Sequence, residues 1–245
     1  MKELIFSTII SNDSSSFFVG IDPTASSMHL GHLSILIGAS YFAAAGYNPI
    51  FLLGSATAHI GDPSFRNTEK KSMLSTSIAF NAEKLEIQLK TVFNNICVLK
   101  GIDVNLMILN NHSWHSQYKL LDFIHEFGGA FKIQTMLQKE CMKSRLDTEN
   151  GLNLREFLYQ VFQAYDFYHL YTLFNCSIQI GGSDQWGNII AGSDLIKKFH
   201  KEAKPFALTL PLLTKSNGEK FGKSSSDVVW LDKTMTSPLE LYQVL

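Results

Sequence analysis

Residues 20–33 read Gly-Ile-Asp-Pro-Thr-Ala-Ser-Ser-Met-His-Leu-Gly-His-Leu, and they contain the clearest local indication of the fold class. It continues a short apolar run, Phe17–Ile21, that is typical of a buried strand, and it leads into a segment typical of a helix. His29 and His32 stand at positions i and i+3 of the first helical turn, where free backbone N–H groups already favour an anion. Gly31 between them should let a phosphate or a base approach the backbone closely. The stretch therefore predicts a strand–turn–helix unit with a phosphate site at the turn.

The rest of the chain alternates apolar runs with helical segments, which predicts an α/β fold, a parallel sheet with helices on both faces. We predict strands at Phe17–Ile21, Pro49–Leu53, Asn105–Leu109, Ser177–Ile180 and Ala207–Leu213, and helices near Met28–Ala45, Thr68–Asn95, Tyr118–Phe127, Leu152–Phe174 and Asp184–Phe199. Residues 101–150 fit this alternation poorly, so we expect an insertion between two halves of one domain that spans residues 1–245. Ligands of such sheets bind beyond the carboxyl ends of the strands.

Composition narrows the function classes. The formal net charge of −1 gives no global attraction to nucleic acid, so any RNA contact must be local or lie on parts outside this chain. Three cysteines without a CxxC pair support neither a zinc site nor a disulfide framework, and they indicate reduced thiols in an intracellular protein. We expect no membrane span and no metal site built from side chains.

Residues 220–226 read Lys-Phe-Gly-Lys-Ser-Ser-Ser, with Lys220 and Lys223 on either side of a glycine. Ammonium groups on a flexible loop suit a departing pyrophosphate, because lysine acts as an adaptable point charge. A solvated basic loop is the alternative. The pairing with the two histidines favours the phosphate interpretation.

Residues 179–188 read Gln-Ile-Gly-Gly-Ser-Asp-Gln-Trp-Gly-Asn, where a strand ends in two glycines before Asp184. A carboxylate at such a turn can accept hydrogen bonds from ribose hydroxyls, as in nucleotide folds. It can equally be a local helix cap. Asp62, after the second strand, could likewise bind a cation or serve only as a turn residue.

Three polar side chains share one face of the predicted helix Leu152–Phe174. Tyr159, Gln163 and Asp166 are spaced i, i+4 and i+7 among strongly apolar neighbours. Polar groups in such surroundings need partners if they are buried. We therefore predict that they face a ligand, for which an ammonium and a phenol would be suitable.

Together these motifs resemble the class I tyrosyl-tRNA synthetases of bacterial and organellar type. The resemblance covers residues 18–242, and the four motifs occur in the order and spacing of that family. It implies a Rossmann-like catalytic domain, an inserted segment that forms a dimer interface, and a two-step reaction. Tyrosine and ATP would give tyrosyl-adenylate and pyrophosphate, and tyrosine would then pass to the 3′ end of tRNA(Tyr).

The resemblance also implies a role for each matching residue. Asp166 would accept a hydrogen bond from the tyrosine hydroxyl. The rest of the amino-acid site would comprise Tyr159, Gln163 and Asp62 at the ammonium, Gln185 at the carboxylate, and Asp22 and Gln179 along the pocket. The nucleotide site would comprise Gly20, Gly182 and Asp184 at the adenylate, Thr24, His29 and His32 at the phosphates, and Lys220, Lys223 and Ser224 over pyrophosphate, with Arg66 and Lys70 as further basic residues.

The sequence departs from the family in several places. Phe18 stands where the family usually has a tyrosine whose hydroxyl also bonds the substrate phenol, so we expect weaker discrimination against phenylalanine. Val19 replaces a frequent cysteine, and Ser224 replaces threonine. The family's usual lead helix is shortened, and we expect its anticodon-binding and RNA-binding C-terminal domains to be absent from this chain.

Further expectations follow from the resemblance. ATP would bind with Mg²⁺ as a substrate, without a prosthetic group, and the chain would form a homodimer. The segment Leu109–Asn111, Trp114 and the segment Phe127–Phe131 look most like animal mitochondrial members, which favours the mitochondrial matrix, with the bacterial cytoplasm as the alternative. Rival hypotheses are a tryptophan-specific relative, a truncated product that forms adenylate or binds RNA or partners without charging tRNA, and a small nucleotidyl transferase.

Overall fold

The structure is a computed structural model of the chain, and it describes residues 15–64, 73–146, 151–214 and 228–244. Within these ranges one sheet contains strands β1 (Ser16–Ile21), β2 (Asn48–Leu53), β3 (Met107–Asn110), β4 (Cys176–Gly182) and β5 (Phe206–Leu210). Neighbouring strands all pair in parallel, in the spatial order β3-β2-β1-β4-β5. The chain builds outward from β1 in one direction and then returns to its other side with β4. A topological switch point therefore lies between β1 and β4, where ligands of doubly wound sheets bind.

The helices cover both faces of this sheet. They are α1 (Leu30–Ala44), α2 (Ser55–Ile60), α3 (Ser75–Lys100), α4 (His112–His115), α5 (Leu120–Phe127), α6 (Ile133–Leu137), α7 (Glu140–Leu146), α8 (Leu154–Phe174), α9 (Trp186–Phe199) and α10 (Pro238–Val244). Successive side chains of β1 point to opposite faces, so Phe17 and Val19 join the core under α1 and α3, while Phe18 joins the core with α8 and α9. The predicted α/β architecture is thus confirmed.

Several boundaries differ from the prediction for local reasons. Helix α3 runs to Lys100 instead of Asn95 and ends at Gly101, whose φ of 64° is a left-handed conformation that glycine adopts without strain. The predicted start of this helix at Thr68 lies outside the described residues. Strand β5 ends at Leu210 because Pro211 follows and has no N–H for the sheet.

The stretch around residues 101–150 contains both sheet and helices. Strand β3 belongs to it and pairs with β2, so the helical part, α4 to α7, begins only at His112. Arg145 in α7 forms a buried ion pair of 2.8 Å with Glu156 in α8, which fastens this segment to the main body. No helix in the described ranges has the length and apolarity needed to cross a membrane.

Candidate active site

A cavity of about 310 Å³ opens at the carboxyl ends of β1 and β4, at the switch point of the sheet. Every predicted site residue within the described ranges lines it: Phe18, Gly20, Asp22, Thr24, His29, His32, Asp62, Tyr159, Gln163, Asp166, Gln179, Gly182, Asp184 and Gln185. Lys220, Lys223, Ser224, Arg66 and Lys70 lie outside the described residues. The structure therefore brings together in one cavity motifs that are up to 167 positions apart in the sequence, from Phe18 to Gln185.

The two histidines form a capping box at the start of α1. His29 is the N-cap, and its Nδ1 accepts a hydrogen bond of 3.1 Å from the N–H of Gly31. The Nδ1 of His32 accepts one of 3.2 Å from the N–H of His29, and the two rings stack 3.9 Å apart. Because each Nδ1 is an acceptor, the proton of each neutral imidazole must sit on Nε2. The pair can therefore donate two Nε2–H groups to a ligand while both Nδ1 atoms keep their hydrogen bonds to the backbone.

Burial disfavours the charged form of both rings. It lowers the pKa of His29, and it lowers the pKa of His32 to about 3, with the neighbouring His29 adding to the effect. At neutral pH both imidazoles are uncharged donors. An anion at this turn would therefore be held by oriented N–H groups and the helix N-terminus rather than by imidazolium charge.

The depressed pKa of His32 predicts acid sensitivity of the fold. The unfolded chain binds a proton at this histidine below about pH 6.5, whereas the folded chain does so only near pH 3, so stability rises with pH between these values and is lost as pH falls. We expect the free energy of unfolding to drop by up to about 1.4 kcal/mol per pH unit for this group. In His32→Asn, which keeps an oxygen acceptor for the N–H of His29, the drop should be shallower.

Urea unfolding between pH 7 and pH 4 measures this difference. His125→Asn, on the exposed side of α5, serves as the matched control and should retain the slope of the unchanged chain. Equal slopes for the unchanged chain and His32→Asn would contradict the assignment.

The packing of the helix start also requires a glycine at position 31, apart from any close approach of a ligand. A Cβ at this position would lie 2.9 Å from Cε1 of His29, so the glycine makes room for the capping imidazole itself. Trp230 closes the other side, because it pairs with His29 as an antiparallel bridge and its ring packs edge-on against the imidazole, with 6.1 Å between the ring centroids. Trp230 was missed by the sequence analysis, since nothing local marks it as a partner of residue 29.

The turn between β1 and α1 is held from below by α3. The side-chain oxygen of Gln88 accepts a hydrogen bond of 2.6 Å from the N–H of Met28, and its Nε2 donates to Ser27 over 3.1 Å. Asn81 lies seven residues before Gln88 on the same face of α3, and its side-chain amide donates a hydrogen bond of 3.1 Å to the carbonyl of Pro23. These long-range contacts orient the turn so that both imidazoles face the cavity.

The cavity also contains a hydrogen-bonded group of side chains centred on the carboxylate of Asp22. The hydroxyl of Tyr159 donates to Oδ2 of Asp22 over 2.9 Å, and Thr57 donates to Oδ1 of the same carboxylate over 2.7 Å. Burial and the nearby carboxylates, Asp22 first, raise the pKa of Tyr159 well above its usual range, so it stays a neutral hydroxyl. A cationic ligand would meet a carboxylate and a phenolic oxygen here, both of which are hydrogen-bond acceptors.

Two side-chain amide oxygens that also belong to residues lining the cavity have no hydrogen-bond partner among the described residues. Oε1 of Gln163 and Oε1 of Gln179 are both shielded from solvent and unpaired. Asp62 accepts from Nε2 of Gln185 over 2.7 Å and from the N–H of Ser64 over 2.9 Å. Because buried acceptors are normally satisfied, the unpaired oxygens are suited to a ligand that brings its own donors, such as an ammonium.

The inner end of the cavity is the carboxylate of Asp166, which is 2% exposed. Its Oδ1 accepts from the indole N–H of Trp114 over 2.8 Å and bonds Nε2 of His115 over 2.7 Å. Its Oδ2 accepts from Nδ2 of Asn111 over 3.0 Å. Asp166 therefore has internal partners and still lines the cavity. A hydroxyl donor is the ligand group that such an acceptor suits.

These three partners were missed as site residues. The available signal was the position of Asn111, which directly follows strand β3 and so lies at the carboxyl edge of the sheet. Its orientation is fixed because its Oδ1 accepts from the N–H of Ala56 over 2.8 Å, which turns the amide N–H₂ toward Asp166. Phe18, in contrast, lines the cavity as expected but packs on Phe167 and brings no hydroxyl.

The part of the cavity wall at Gly20 and Gly182 is built on bare backbone. A Cβ added at Gly20 would meet nothing within 4 Å and would project into open space, where it would obstruct a ligand. One at Gly182 would collide with Asp184 Oδ1 and lie 3.0 Å from Leu212. Asp184 itself stands in the single turn Ser183–Gln185 between β4 and α9, half-buried at the cavity wall.

Metal chemistry has no preformed cage in this part of the chain. Among the described residues, no group of three or more His, Cys, Asp or Glu side chains is placed to hold a metal ion. A hard cation would need ligands from its own substrate, as Mg²⁺ usually does with phosphates.

Comparison with known proteins agrees with this geometry. A family model described as tRNA synthetases class I (W and Y) matches residues 11–245. Tyrosine–tRNA ligase 1 of Enterococcus faecalis is 45% identical over 233 residues, 95% of this chain and 54% of that protein. The mitochondrial tyrosine–tRNA ligase of Drosophila melanogaster is 43% identical over 235 residues, 93% of this chain and 51% of that protein.

A solved structure shows the same fold. The C-terminally truncated mitochondrial tyrosyl-tRNA synthetase of Aspergillus nidulans superimposes with a TM-score of 0.86 at 30% identity, and the match covers 100% of this chain and 70% of that one. The chain spans about half the length of the curated relatives it matches.

Proposed function

The chain belongs to the class I tRNA synthetases of the W and Y group, and from this premise we propose that its cavity binds tyrosine and ATP and joins them as tyrosyl-adenylate. The observation that carries the proposal is that one cavity is lined both by the imidazole pair at the start of α1 and by the Asp166 carboxylate. The first is suited to phosphates and the second to a phenol hydroxyl. A ligand pair that carries both phosphates and a phenol hydroxyl would therefore contact the imidazole pair and Asp166 at the same time.

The first step needs little covalent chemistry from the protein. A tyrosine carboxylate oxygen attacks the α-phosphorus of ATP, an O–P bond forms, the bond to the bridging oxygen breaks, and pyrophosphate leaves. The carboxylate is already ionised at neutral pH, so no general base is required. The protein contributes by holding both reactants together and by donating hydrogen bonds to oxygens whose charge increases in the transition state.

Each end of the amino acid meets a suitable group. Asp166 accepts from the phenol, and the ammonium is placed among Tyr159, Gln163 and Asp62, near the unpaired amide oxygens. Gln185, which is hydrogen-bonded to Asp62, stands by the carboxylate. Asp22 and Gln179 line the space between.

ATP takes the remaining part of the cavity. Its phosphates lie at Thr24, His29 and His32, and its ribose lies at Asp184. Gly20 and Gly182 allow close approach of the adenylate, and Lys220, Lys223 and Ser224 bind the pyrophosphate. Mg²⁺ arrives with the triphosphate as part of the substrate.

The direct test is tyrosine-dependent exchange of pyrophosphate into ATP by the purified chain, with tryptophan and phenylalanine run in parallel. Exchange with tyrosine well above the other two supports the proposal. Exchange with tryptophan instead would establish the tryptophan-specific alternative, and none with any amino acid would refute adenylate formation.

Transfer of tyrosine to the 3′ end of tRNA(Tyr) is the second proposed step. The names of the relatives, which are tyrosine–tRNA ligases, support it. Aminoacylation of tRNA(Tyr) measured beside the exchange reaction separates the two activities. Exchange without charging would identify a chain that only forms adenylate.

Phe18 offers a gain-of-function prediction. Phe18→Tyr adds a hydroxyl to the wall of the cavity, where a second hydrogen bond to the substrate phenol can form. Since a neutral hydrogen bond contributes about 0.5–1.5 kcal/mol, we expect the kcat/KM ratio of tyrosine to phenylalanine to rise by up to about tenfold. The exchange reaction with each amino acid measures it, and Phe42→Tyr, away from the cavity, is the control. An unchanged ratio in Phe18→Tyr would refute the role of position 18.

Homodimer formation is supported by exposed apolar side chains on the inserted helices. Leu120, Leu121 and Ile124 of α5 and Ile133 of α6 are all more than half exposed, which is unusual for a monomer surface. Sedimentation of the purified chain tests this, and a monomer at micromolar concentration would contradict it.

We propose the mitochondrial matrix as the location of the chain, and the resemblance to mitochondrial enzymes of a fly and of fungi supports this proposal. Bacterial relatives are equally similar, which makes the bacterial cytoplasm the alternative. Subcellular fractionation of the source cells decides between them.

A further inference from the structure

We infer that His115 is a specificity-determining residue of the amino-acid pocket, because it occupies Oδ1 of Asp166 and thereby makes Oδ2 the acceptor for the ligand hydroxyl. The inference deepens the proposed function and rests on it. His115 does not touch the ligand site in this account. It acts through Asp166 and is therefore a positioning residue.

The argument begins with the lone pairs of the carboxylate. An ionised carboxylate oxygen accepts about two hydrogen bonds in its plane. Oδ1 already has two partners, the indole N–H of Trp114 at 2.8 Å and Nε2 of His115 at 2.7 Å. Oδ2 has one, Nδ2 of Asn111 at 3.0 Å. One acceptor position is left at Oδ2, so a hydroxyl that enters the cavity binds there.

With Asp166 as an ionised carboxylate, the contact to His115 is a bond donated by the imidazole. A carboxylate has no proton to give, so Nε2 of His115 carries the hydrogen. The side chains of His115 and Asp166 are only 5% and 3% exposed, and the rings of Phe162 and Tyr165 lie 5.0 and 5.4 Å from the imidazole. In such dry surroundings a hydrogen bond to a charged group is stronger than in water, and an unmet lone pair is costly.

One short turn supplies all three donors. Helix α4 is a single turn, in which the N–H groups of Trp114 and His115 both bond the carbonyl of Asn111. This arrangement holds the side chains of all three residues in position around the carboxylate of Asp166. Removing the imidazole leaves Oδ1 with one donor and lets the carboxylate turn, so that Oδ2 no longer meets the hydroxyl in one defined geometry.

The ratio of tyrosine to phenylalanine isolates this effect from general damage to the fold. Phenylalanine has no hydroxyl and makes no hydrogen bond to Asp166, so its use depends on the shape of the pocket alone. A structural role for His115 would lower kcat/KM for both amino acids together. A positioning role lowers it for tyrosine and leaves it for phenylalanine nearly unchanged.

The experiment compares His115→Leu with His115→Gln in the pyrophosphate exchange reaction. Leucine removes the donor, and we expect the kcat/KM ratio of tyrosine to phenylalanine to fall by about 10- to 100-fold, the value of one hydrogen bond to a charged group. Glutamine places an amide N–H₂ where Nε2 stood, and should keep the ratio close to that of the unchanged chain. His169→Leu is the matched control, because His169 stacks on Trp114 at 4.3 Å without a hydrogen bond to Asp166 among the described contacts.

The outcomes separate this inference from the proposed function. Absence of tyrosine-dependent exchange in the unchanged chain would refute the function itself. Normal exchange in the unchanged chain together with an unaltered ratio in His115→Leu, or an equal fall for both amino acids, would overturn only the role of His115. Should His115→Leu not fold, as judged by circular dichroism, His115→Asn carries the same test, because its shorter amide does not reach Oδ1 and the ratio should again fall.

Discussion

Asp166→Asn is expected to lower kcat/KM for tyrosine in pyrophosphate exchange by about 10²- to 10⁴-fold, because breaking a buried charged hydrogen-bonded group costs roughly 3–5 kcal/mol. Three donors converge on the two oxygens of this carboxylate. An amide has only one oxygen, so at least one donor would face the N–H₂ group. The hydroxyl of tyrosine would then meet either the N–H₂ group or an oxygen that already accepts other hydrogen bonds, in place of a fixed acceptor.

The same change should affect phenylalanine little, so the kcat/KM ratio of tyrosine to phenylalanine should fall by about the same factor. A pocket that hydrogen-bonds a hydroxyl rejects the analogue without it, since its own polar group would be left unpaired. Tyrosyl-tRNA synthetase is itself the reference case for this effect, with a discrimination of about 10⁵ that belongs to the class and is not a result of this structure.

Parallel kinetics with tyrosine and phenylalanine measure this loss. Asp194→Asn, an exposed change of the same chemistry on α9, is the control and should behave as the unchanged chain does. Full retention of the tyrosine preference in Asp166→Asn would contradict the place given to the phenol.

His29→Asn and His32→Asn should each slow adenylate formation by about 10²- to 10³-fold, the effect of removing one preorganised donor to a developing oxyanion. Asparagine keeps an acceptor oxygen near the position of Nδ1, so each variant can preserve its half of the capping box. What is lost is the Nε2–H of an imidazole that lines the cavity. The change therefore tests the phosphate role with limited damage to the helix start.

Single-turnover formation of the adenylate measures the rate, and equilibrium dialysis measures tyrosine affinity. We expect tyrosine affinity to stay within a few-fold, since an interaction made only in the transition state affects the rate and not ground-state binding. His125→Asn is the matched control. A parallel loss of tyrosine binding would show that the histidines organise the whole cavity and would contradict a role confined to the phosphates.

Much of the fold could be read from local patterns. The parallel alternation, the helix that carries Tyr159, Gln163 and Asp166, and the histidine turn all follow from periodicities and terminal signals within a few residues of one another. Boundaries were less accurate where a neighbour decided them, as at Pro211 after β5 and Gly101 after α3. The location of the cavity followed from the rule that parallel sheets bind ligands at their carboxyl edge.

The partners of those residues were not readable in the same way. Asn111, Trp114 and His115 stand 51 to 55 positions from Asp166, and Trp230 meets His29 from the far end of the chain. No local periodicity links such pairs. The tautomer of each histidine also became assignable only once its Nδ1 was seen to accept a backbone N–H.

Local spacing was thus enough to indicate which polar residues line the cavity and near which strand ends they stand, because spacing along the chain sets the face of a helix or the end of a strand. The tertiary structure alone decided what charge and orientation those groups have. A carboxylate buried under three donors and an imidazole held neutral are properties of contacts between distant segments, and such contacts form only when the sheet and its helices close around one cavity.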